Sequence, residues 1–337
     1  MGTAGGAGGL RDATLRRMSP LPLFPSSARA GIVLGCMNFG KRTPAAESGR
    51  ILARAIERGV TAFDTADVYN DGESERILGR AIRGRRERVA VATKVGLARV
   101  GGKPEGLSRA AIHRAIDGSL ARLGTDHVDV YYFHAPDHEV PVEESLLAME
   151  ELRAAGKIGA VGVSNYAAWQ ILEMMTLSDA RGAPRPAISQ VMYNLLIRQI
   201  ETEYAGFTRR YPIHTTVYNP LAGGLLTGRH RRAGGTEAGS RFEKNRMYQG
   251  RYWSDRFFDL VEAYGALAAE LGMSLVDLSY AWLADAPGVS SILVGPGSVE
   301  HLDAALAGCE IALTPDAREK VDAIHRAYLG TDASYVR

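Results

Sequence analysis

The sequence predicts an α/β fold, a (β/α)8 barrel of the TIM type with extra loops and a C-terminal helix. Eight short apolar segments alternate with amphipathic helical segments along the chain. The apolar segments are nearly continuous rather than alternating, which is typical of parallel strands covered on both faces. A doubly wound sheet is the structural alternative, but it usually carries a Gly-x-Gly-x-x-Gly turn after its first strand, and the sequence contains no such turn.

The predicted strands are spaced so that a helix fits between each pair. They cover residues 31–35, 60–64, 89–93, 128–133, 158–163, 187–191, 213–217 and 289–294. Helices are predicted at 45–59, 108–123 and 143–155, and Gly59 ends the first of them. Two segments exceed the repeating unit, namely a loop at about 219–254 and an extra helix after residue 314.

Composition excludes several classes of protein. With 46% apolar and 23% charged residues the chain is globular, and a net charge of +2 argues against a dedicated nucleic-acid binder. No run of eighteen apolar residues occurs, so no membrane span is expected. Cys36 and Cys309 fit no metal-binding spacing, which favours a reducing, cytoplasmic location. Residues 1–28 are rich in Gly, Ala, Ser and Pro, and we expect a disordered leader ahead of a single domain at 29–337.

Polar residues stand at the carboxyl end of one predicted strand after another. Following strands two to eight in order, they are Asp64, Lys94, His134, Ser164 with Asn165, Gln190, Tyr218 with Asn219, and Gly295–Ser298. Taken singly, each residue has an ordinary structural explanation, as a turn former, as a solvated charge or as a histidine whose hydrogen bonds are made within the protein. The carboxyl ends of barrel strands converge on one mouth, however, so the whole set predicts a site there.

Asp64, Lys94, His134 and the nearby loop residue Tyr69 predict proton-transfer chemistry. A buried lysine beside a carboxylate forms an ion pair, and a cation near a phenol lowers the pKa of that phenol. A tyrosine tuned in this way can donate a proton near neutral pH. Other catalytic motifs are missing, since no tyrosine precedes a lysine by four residues and no His-Glu-x-x-His occurs.

Four motifs around these residues resemble those of the aldo-keto reductase superfamily. They are "FDTADVYNDGESERILG", "ATKVG", "FHAPD" and "GKIGAVGVSNYAAWQ", and the resemblance covers roughly residues 31 to 313. The segments "FHAPDHEVPVEESL", "QVMYNLLIRQIETE" and "YNPLAGGLLTG" are similar to the aflatoxin-aldehyde and succinic-semialdehyde reductase branch. The resemblance implies NADPH-dependent reduction of an aldehyde or ketone to an alcohol by hydride transfer. Tyr69 would be the general acid, Lys94 paired with Asp64 would lower its pKa, and His134 would help to hold the carbonyl.

The resemblance also implies a cofactor site without a Rossmann turn. Ser164, Asn165 and Gln190 would bond the carboxamide, and Tyr218 would stack on the nicotinamide. The pyrophosphate would be wrapped by Asn219, Leu221, Gly223, Leu225 and Gly228, and the adenosine phosphate would lie at Gly295, Ser298 and His301. The family often has Gln and Asn where this chain has His301 and Ala305.

For the substrate, the resemblance implies a small-molecule carbonyl compound. Arg251 and Arg337 match the arginines that grip an acidic substrate's carboxylate in the branch, and Trp253 could line the pocket or pack the long loop. Trp169 and Trp282 lie in apolar helical patterns and are expected in the core. The resemblance leaves open a homodimer, a cofactor-binding regulatory subunit like the potassium-channel β subunits, and a reductase of a natural-product or keto-sugar intermediate.

Overall fold

Eight parallel strands close into a barrel in the computed structural model, which describes residues 29–331. Each strand pairs with the next along the chain, and the last pairs with the first. The predicted leader at 1–28 and the chain end at 332–337 lie outside the described residues. The strands are β1 Gly31–Gly35, β2 Ala62–Asp64, β3 Ala90–Val95, β4 Val128–Phe133, β5 Ile158–Ser164, β6 Ile188–Met192, β7 His214–Tyr218 and β8 Ser291–Val294.

Helices cover the outside of the barrel. They are α1 Ala45–Glu57, α2 Glu73–Ile82, α3 Arg109–Leu123, α4 Val142–Ala154, α5 Ala168–Ala180, α6 Tyr204–Arg210, α7 Arg246–Tyr252, α8 Asp255–Glu270, α9 Leu275–Ala284, α10 Val299–Glu310 and α11 Pro315–Leu329. The predicted barrel and the helix after residue 314 are therefore confirmed. Thr314 caps α11 by accepting a hydrogen bond from the Ala317 N–H, and Pro315 occupies its first turn, where a proline costs no hydrogen bond.

The inside of the barrel is filled by its own side chains. One apolar cluster comprises Val33, Ala62, Ala90, Ala92, Val130, Tyr132 and Ile188, and a larger one packs the barrel against the helices. Gly162 on β5 is required there, because a Cβ at this position would lie 2.4 Å from the Tyr132 ring. The filled interior leaves the mouth as the place for a site.

Of the two tryptophans predicted in the core, the structure confirms one. Trp282 on α9 is 3% exposed, but Trp169 in the first turn of α5 is 62% exposed. Helix α5 buries Ala168, Ile171 and Met175, which lie three and four residues apart. Trp169 follows Ala168 by one residue, which turns its side chain about 100° away from that stripe.

The long segment after β7 contains two short 3₁₀ helices, Ala222–Thr227 and Arg232–Gly234, followed by α7. This segment corresponds to the long loop predicted at about 219–254, and it begins at the carboxyl end of β7. In the part of the chain that the structure describes, no helix combines the length and apolar character needed to cross a membrane.

Candidate active site

The four predicted catalytic residues meet at the carboxyl ends of three neighbouring strands. Asp64 is the last residue of β2, Lys94 lies near the end of β3, and His134 follows β4 directly. Tyr69 lies in the loop between β2 and α2. This loop turns sharply, since Asn70 and Asp71 have φ angles of 52° and 55°, in the left-handed region that Asn and Asp tolerate better than most residues.

Lys94 and Asp64 form a buried ion pair below the mouth. Their side chains are 0% and 2% exposed, and the Lys94 ammonium donates to Asp64 Oδ1 and, at 2.8 Å, to the Thr65 carbonyl. Gln190 donates to the second carboxylate oxygen, Asp64 Oδ2, at 2.9 Å. Burial alone would lower the pKa of Lys94, but the charges and hydrogen bonds of Asp64 and Tyr69 outweigh it and raise this pKa. Lys94 is therefore a fixed cation.

The Tyr69 hydroxyl lies between Lys94 and His134. It is 3.5 Å from His134 Nε2, and the Lys94 ammonium is 5.1 Å from the centroid of the Tyr69 ring. Burial raises the pKa of Tyr69, and the charge and hydrogen bond of Lys94 lower it, but the net shift is upward. The sign of the Lys94 contribution is as predicted, whereas the prediction of an unusually acidic phenol is wrong because burial has the larger effect. Tyr69 thus carries its proton at neutral pH, as a proton donor must.

His134 is a neutral imidazole at physiological pH. It is 8% exposed, and burial, followed by the charge of Lys94, lowers its pKa to about 3. Its Nδ1 has no hydrogen-bond partner among the described residues. The other ring nitrogen, Nε2, is the one that lies beside the Tyr69 hydroxyl, so it is the atom of His134 that can hydrogen-bond a ligand there.

The residues predicted to bind a carboxamide form a connected network. Asn165, held in the left-handed region at a φ of 63°, donates to the His134 carbonyl at 2.9 Å and to Ser164 Oγ at 3.1 Å. Its Oδ1 accepts a hydrogen bond from the Tyr218 hydroxyl at 2.6 Å. Gln190 joins the network because its backbone carbonyl accepts a hydrogen bond from the Asn165 N–H at 3.1 Å. The structure thus brings together the predicted residues at the ends of β5, β6 and β7.

The loop after β7 begins at the carboxyl end of that strand and is rich in glycine. Gly223, Gly224 and Gly228 have φ angles of 71°, 111° and 71°, which favour glycine. A Cβ at Gly223 would lie 2.8 Å from the Tyr248 ring, so no larger residue fits there without movement. Leu225 is fully buried, and its carbonyl accepts a hydrogen bond from the Gly228 N–H at 3.1 Å. The remaining predicted residues of this loop are Asn219, which donates to the Tyr252 hydroxyl at 2.9 Å, and the half-buried Leu221.

Two arginines beside this loop escaped the sequence analysis. Arg241 donates to the Tyr248 hydroxyl and to Asn38 Oδ1, both at 2.9 Å, and Arg42 donates to the Gly239 carbonyl at 2.9 Å. In the described part of the chain neither guanidinium pairs with a carboxylate. The nearness of Arg241 to Arg42 contributes, after burial, to a lowered pKa of Arg42. The charge of Glu243 acts on Arg42, but no carboxylate of the described residues forms a direct ion pair with either arginine.

The structure describes two of the three residues predicted to bind substrate, Arg251 and Trp253. Arg251 lies 5.8 Å from the centroid of the Tyr248 ring. Trp253 is half-buried and packs edge-on against Phe242 and Phe258, with ring centroids 5.1 Å apart in each case. Arg337 lies outside the described residues.

The start of α10 was predicted to receive an adenosine phosphate. Ser298 caps the helix by accepting from the His301 N–H at 3.3 Å, and His301 itself is exposed. The Val299 N–H donates to Glu47 Oε1 at 3.2 Å, so a carboxylate of α1 already contacts this helix end. Gly295 precedes this turn at the end of β8.

Comparison with known proteins agrees with this geometry. The chain matches the family model of the aldo/keto reductase family over residues 31–326. It is 38% identical to human "Aldo-keto reductase family 7 member A3", covering 90% of this chain and 95% of that protein. It is 37% identical to human "Aflatoxin B1 aldehyde reductase member 2" over 90% and 88% of the two chains. It is 34% identical to the "Probable voltage-gated potassium channel subunit beta" of Oryza sativa subsp. japonica over 86% and 90%. The resemblance seen in the motifs is confirmed, and the chain belongs to the aldo/keto reductase family.

Proposed function

We propose that the protein reduces an aldehyde or ketone to an alcohol with NADPH, and that Tyr69 is the general acid. Membership of the aldo/keto reductase family supports carbonyl reduction by an oxidoreductase that uses a nicotinamide cofactor. The observation that carries the mechanism is the buried Lys94–Asp64 pair directly beside a protonated tyrosine and a neutral histidine.

The residues present fit a nicotinamide dinucleotide. The positive-φ glycines let the backbone approach a pyrophosphate, and the unpaired guanidiniums of Arg42 and Arg241 would neutralise it. Ser164, Asn165 and Gln190 would hold the carboxamide, and Tyr218 would lie against the ring. When bound, the cofactor supplies the hydride that reaches the carbonyl carbon.

Three groups of this protein then hold and protonate the carbonyl oxygen, namely His134, Tyr69 and the Lys94–Asp64 pair. The neutral His134 ring donates a hydrogen bond that holds the oxygen next to Tyr69. Tyr69 gives its proton to the oxygen as negative charge develops there, which leaves a phenolate. The Lys94 ammonium stabilises this phenolate, and Asp64 keeps the ammonium in place. A proton from solvent restores the phenol for the next turnover.

The experiment that tests this role compares wild type with Tyr69→Phe in the oxidation of NADPH by 4-nitrobenzaldehyde. We expect the variant to bind cofactor normally and to lose about 10²–10⁴-fold in rate, the usual contribution of a general acid. Tyr166→Phe is the matched control, since among the described residues its hydroxyl hydrogen-bonds the Ala135 carbonyl alone, at 3.5 Å. Unchanged turnover in Tyr69→Phe would remove Tyr69 from its role.

We propose Arg251 and Arg337 as the residues that bind the carboxylate of an acidic aldehyde, because arginine suits bidentate carboxylate binding. Arg251→Ala should raise KM for succinic semialdehyde and leave KM for 4-nitrobenzaldehyde unchanged. The clamp is rejected if both substrates respond alike. Measuring kcat/KM on a wider panel that includes diketones and keto-sugars distinguishes a reductase of acidic aldehydes from a reductase of natural-product or keto-sugar intermediates.

A regulatory role is the second candidate, favoured by the relative in Oryza sativa that is named as a potassium channel subunit. A regulator would bind cofactor tightly but reduce aldehydes very slowly. Turnover numbers on the same substrate panel therefore separate the two functions.

A further inference from the structure

Asp67 lies on the loop that carries Tyr69, and its carboxyl group is buried without a partner. The loop covers residues 65–72, between β2 and α2. Asp67 is 7% exposed, and neither of its carboxylate oxygens has a hydrogen-bond partner among the described residues. A carboxylate in such a place loses its hydration and gains little in return. The carboxyl group therefore fits its buried position when it is protonated and does not fit it when it is ionised.

The groups that face Asp67 do not offset a negative charge. Burial, followed by the charges of Glu75 on α2 and Glu105 before α3, raises the pKa of Asp67 to about 7. Arg122 on α3 lowers this pKa by less, and it already pairs with the fully buried Glu75 at 2.5 Å. Tyr131 on β4 also faces Asp67, since burial, followed by the charge of Asp67, raises the pKa of Tyr131. An ionised Asp67 would therefore be stabilised by moving toward solvent.

The backbone connects Asp67 to both Lys94 and Tyr69. The Asp67 N–H donates to the Lys94 carbonyl on β3 at 3.3 Å. The Tyr69 N–H donates at 3.1 Å to the carbonyl of Ala66, the residue before Asp67. The ring of Tyr69 then lies with its centroid 5.1 Å from the Lys94 ammonium. A movement of Asp67 toward solvent would break the contact with β3 and shift the turn that places the Tyr69 hydroxyl.

We infer that Asp67 is a positioning residue for Tyr69, and that the loop holds Tyr69 beside Lys94 only while the Asp67 carboxyl group is protonated. When this group ionises, the loop opens, Tyr69 moves away from the carbonyl oxygen, and reduction slows. The inference rests on the proposed function, in which Tyr69 is the general acid. Neither Tyr69 nor His134 ionises near pH 7, because burial raises the pKa of Tyr69 and lowers that of His134 to about 3.

Hydrogen exchange of the full-length wild type and Asp67→Asn tests the loop without a turnover assay. Ionisation and opening are linked, so the protection of the Asp67 and Tyr69 amides in wild type, corrected for the intrinsic exchange rate, should fall about tenfold between pH 6 and pH 8. In Asp67→Asn the protection of the same two positions should not vary with pH, because asparagine does not ionise. Asp71→Asn is the matched control, since it removes an exposed carboxylate from the same loop and should keep the pH dependence of wild type.

The same three proteins are then compared in the reduction of 4-nitrobenzaldehyde by NADPH across this pH range. We expect kcat/KM of wild type and of Asp71→Asn to decline with a midpoint near the pKa of Asp67, about 7. The value for Asp67→Asn should not show this decline. A residue that only stabilised the fold would change the melting temperature and leave the pH profile as it is.

The outcomes separate the inference from the proposed function. Protection in wild type that does not vary with pH overturns the inference, whatever the catalytic activity. A decline of kcat/KM that Asp67→Asn shares with wild type also overturns it, because the decline then belongs to another group. If protection varies as expected but none of the three proteins reduces a carbonyl substrate at any pH, the proposed function falls and the positioning role falls with it.

Discussion

Asp67→Asn should stabilise the protein, and the gain should depend on pH. Asp67 lies two residues before Tyr69, is 7% exposed, and has no hydrogen-bond partner for either carboxylate oxygen among the described residues. Burial, followed by the charges of Glu75 and Glu105, raises its pKa from 3.8 to about 7. A nearby N–H of Val68 and the more distant Arg122 lower the pKa by less.

The magnitude follows from linkage between ionisation and folding. Because the folded pKa is raised, the unfolded chain ionises first as pH rises, and the folded state loses stability from about pH 4 until Asp67 ionises near pH 7. A rise of about 3 pKa units corresponds to an upper bound of about 4 kcal/mol in the free energy of unfolding. Asparagine has the shape of the protonated acid but does not ionise, so the variant avoids this loss.

Urea unfolding of wild type and Asp67→Asn at several pH values between 4 and 8 measures the effect. We expect similar stability at pH 4 and a growing advantage of the variant that levels off above pH 7. Asp71→Asn is the matched control, because Asp71 is exposed in the same loop and asparagine tolerates its left-handed backbone. A difference that does not vary with pH, or a variant less stable than wild type at pH 8, would refute the reasoning.

Three further predictions test other parts of the structure. Lys94→Met should abolish reduction and lower the free energy of unfolding by about 3–5 kcal/mol, since it leaves Asp64 buried without its partner; a normal melting temperature would contradict the burial of the pair. Gly223→Ala should weaken cofactor binding in a titration, because the added Cβ meets a neighbouring ring at 2.8 Å and the φ of 71° disfavours alanine; unchanged affinity would show that this loop does not contact the cofactor. Trp282→Ala should cost about 3–5 kcal/mol in urea unfolding, whereas Trp169→Ala, at an exposed position, should cost little; equal losses would contradict the burial of these side chains.

The repeating strands and the candidate catalytic residues could be predicted from sequence because both are local signals. The run 128–133 is apolar except for Asp129, and His134 follows it directly. Parallel topology then determines that strand ends meet, so Asp64, Lys94 and His134 could be placed at one mouth before any distance was known.

The features that could not be predicted from sequence depend on contacts between residues far apart in the chain, or on how deeply a group is buried. Arg241 bonds Asn38 from 203 positions away, and Val299 bonds Glu47 from 252 positions away. The pKa of Tyr69 rises because desolvation exceeds the charge of Lys94, and this balance requires the full surroundings of the hydroxyl. The only sequence signal for Arg241 is that the loop after β7 contains several arginines, and this does not single out one of them.

The contacts of Arg241 with Asn38 and of Arg42 with Gly239 join the segment after β7 to the segment after β1. Strand β8 lies between β7 and β1 in the barrel, so these contacts bridge over its end. If the proposed cofactor binds beneath these contacts, both hydrogen bonds would have to open before it leaves. The residence time of such a ligand would then depend on how fast these two side-chain contacts open, and not only on the chemistry of the reaction.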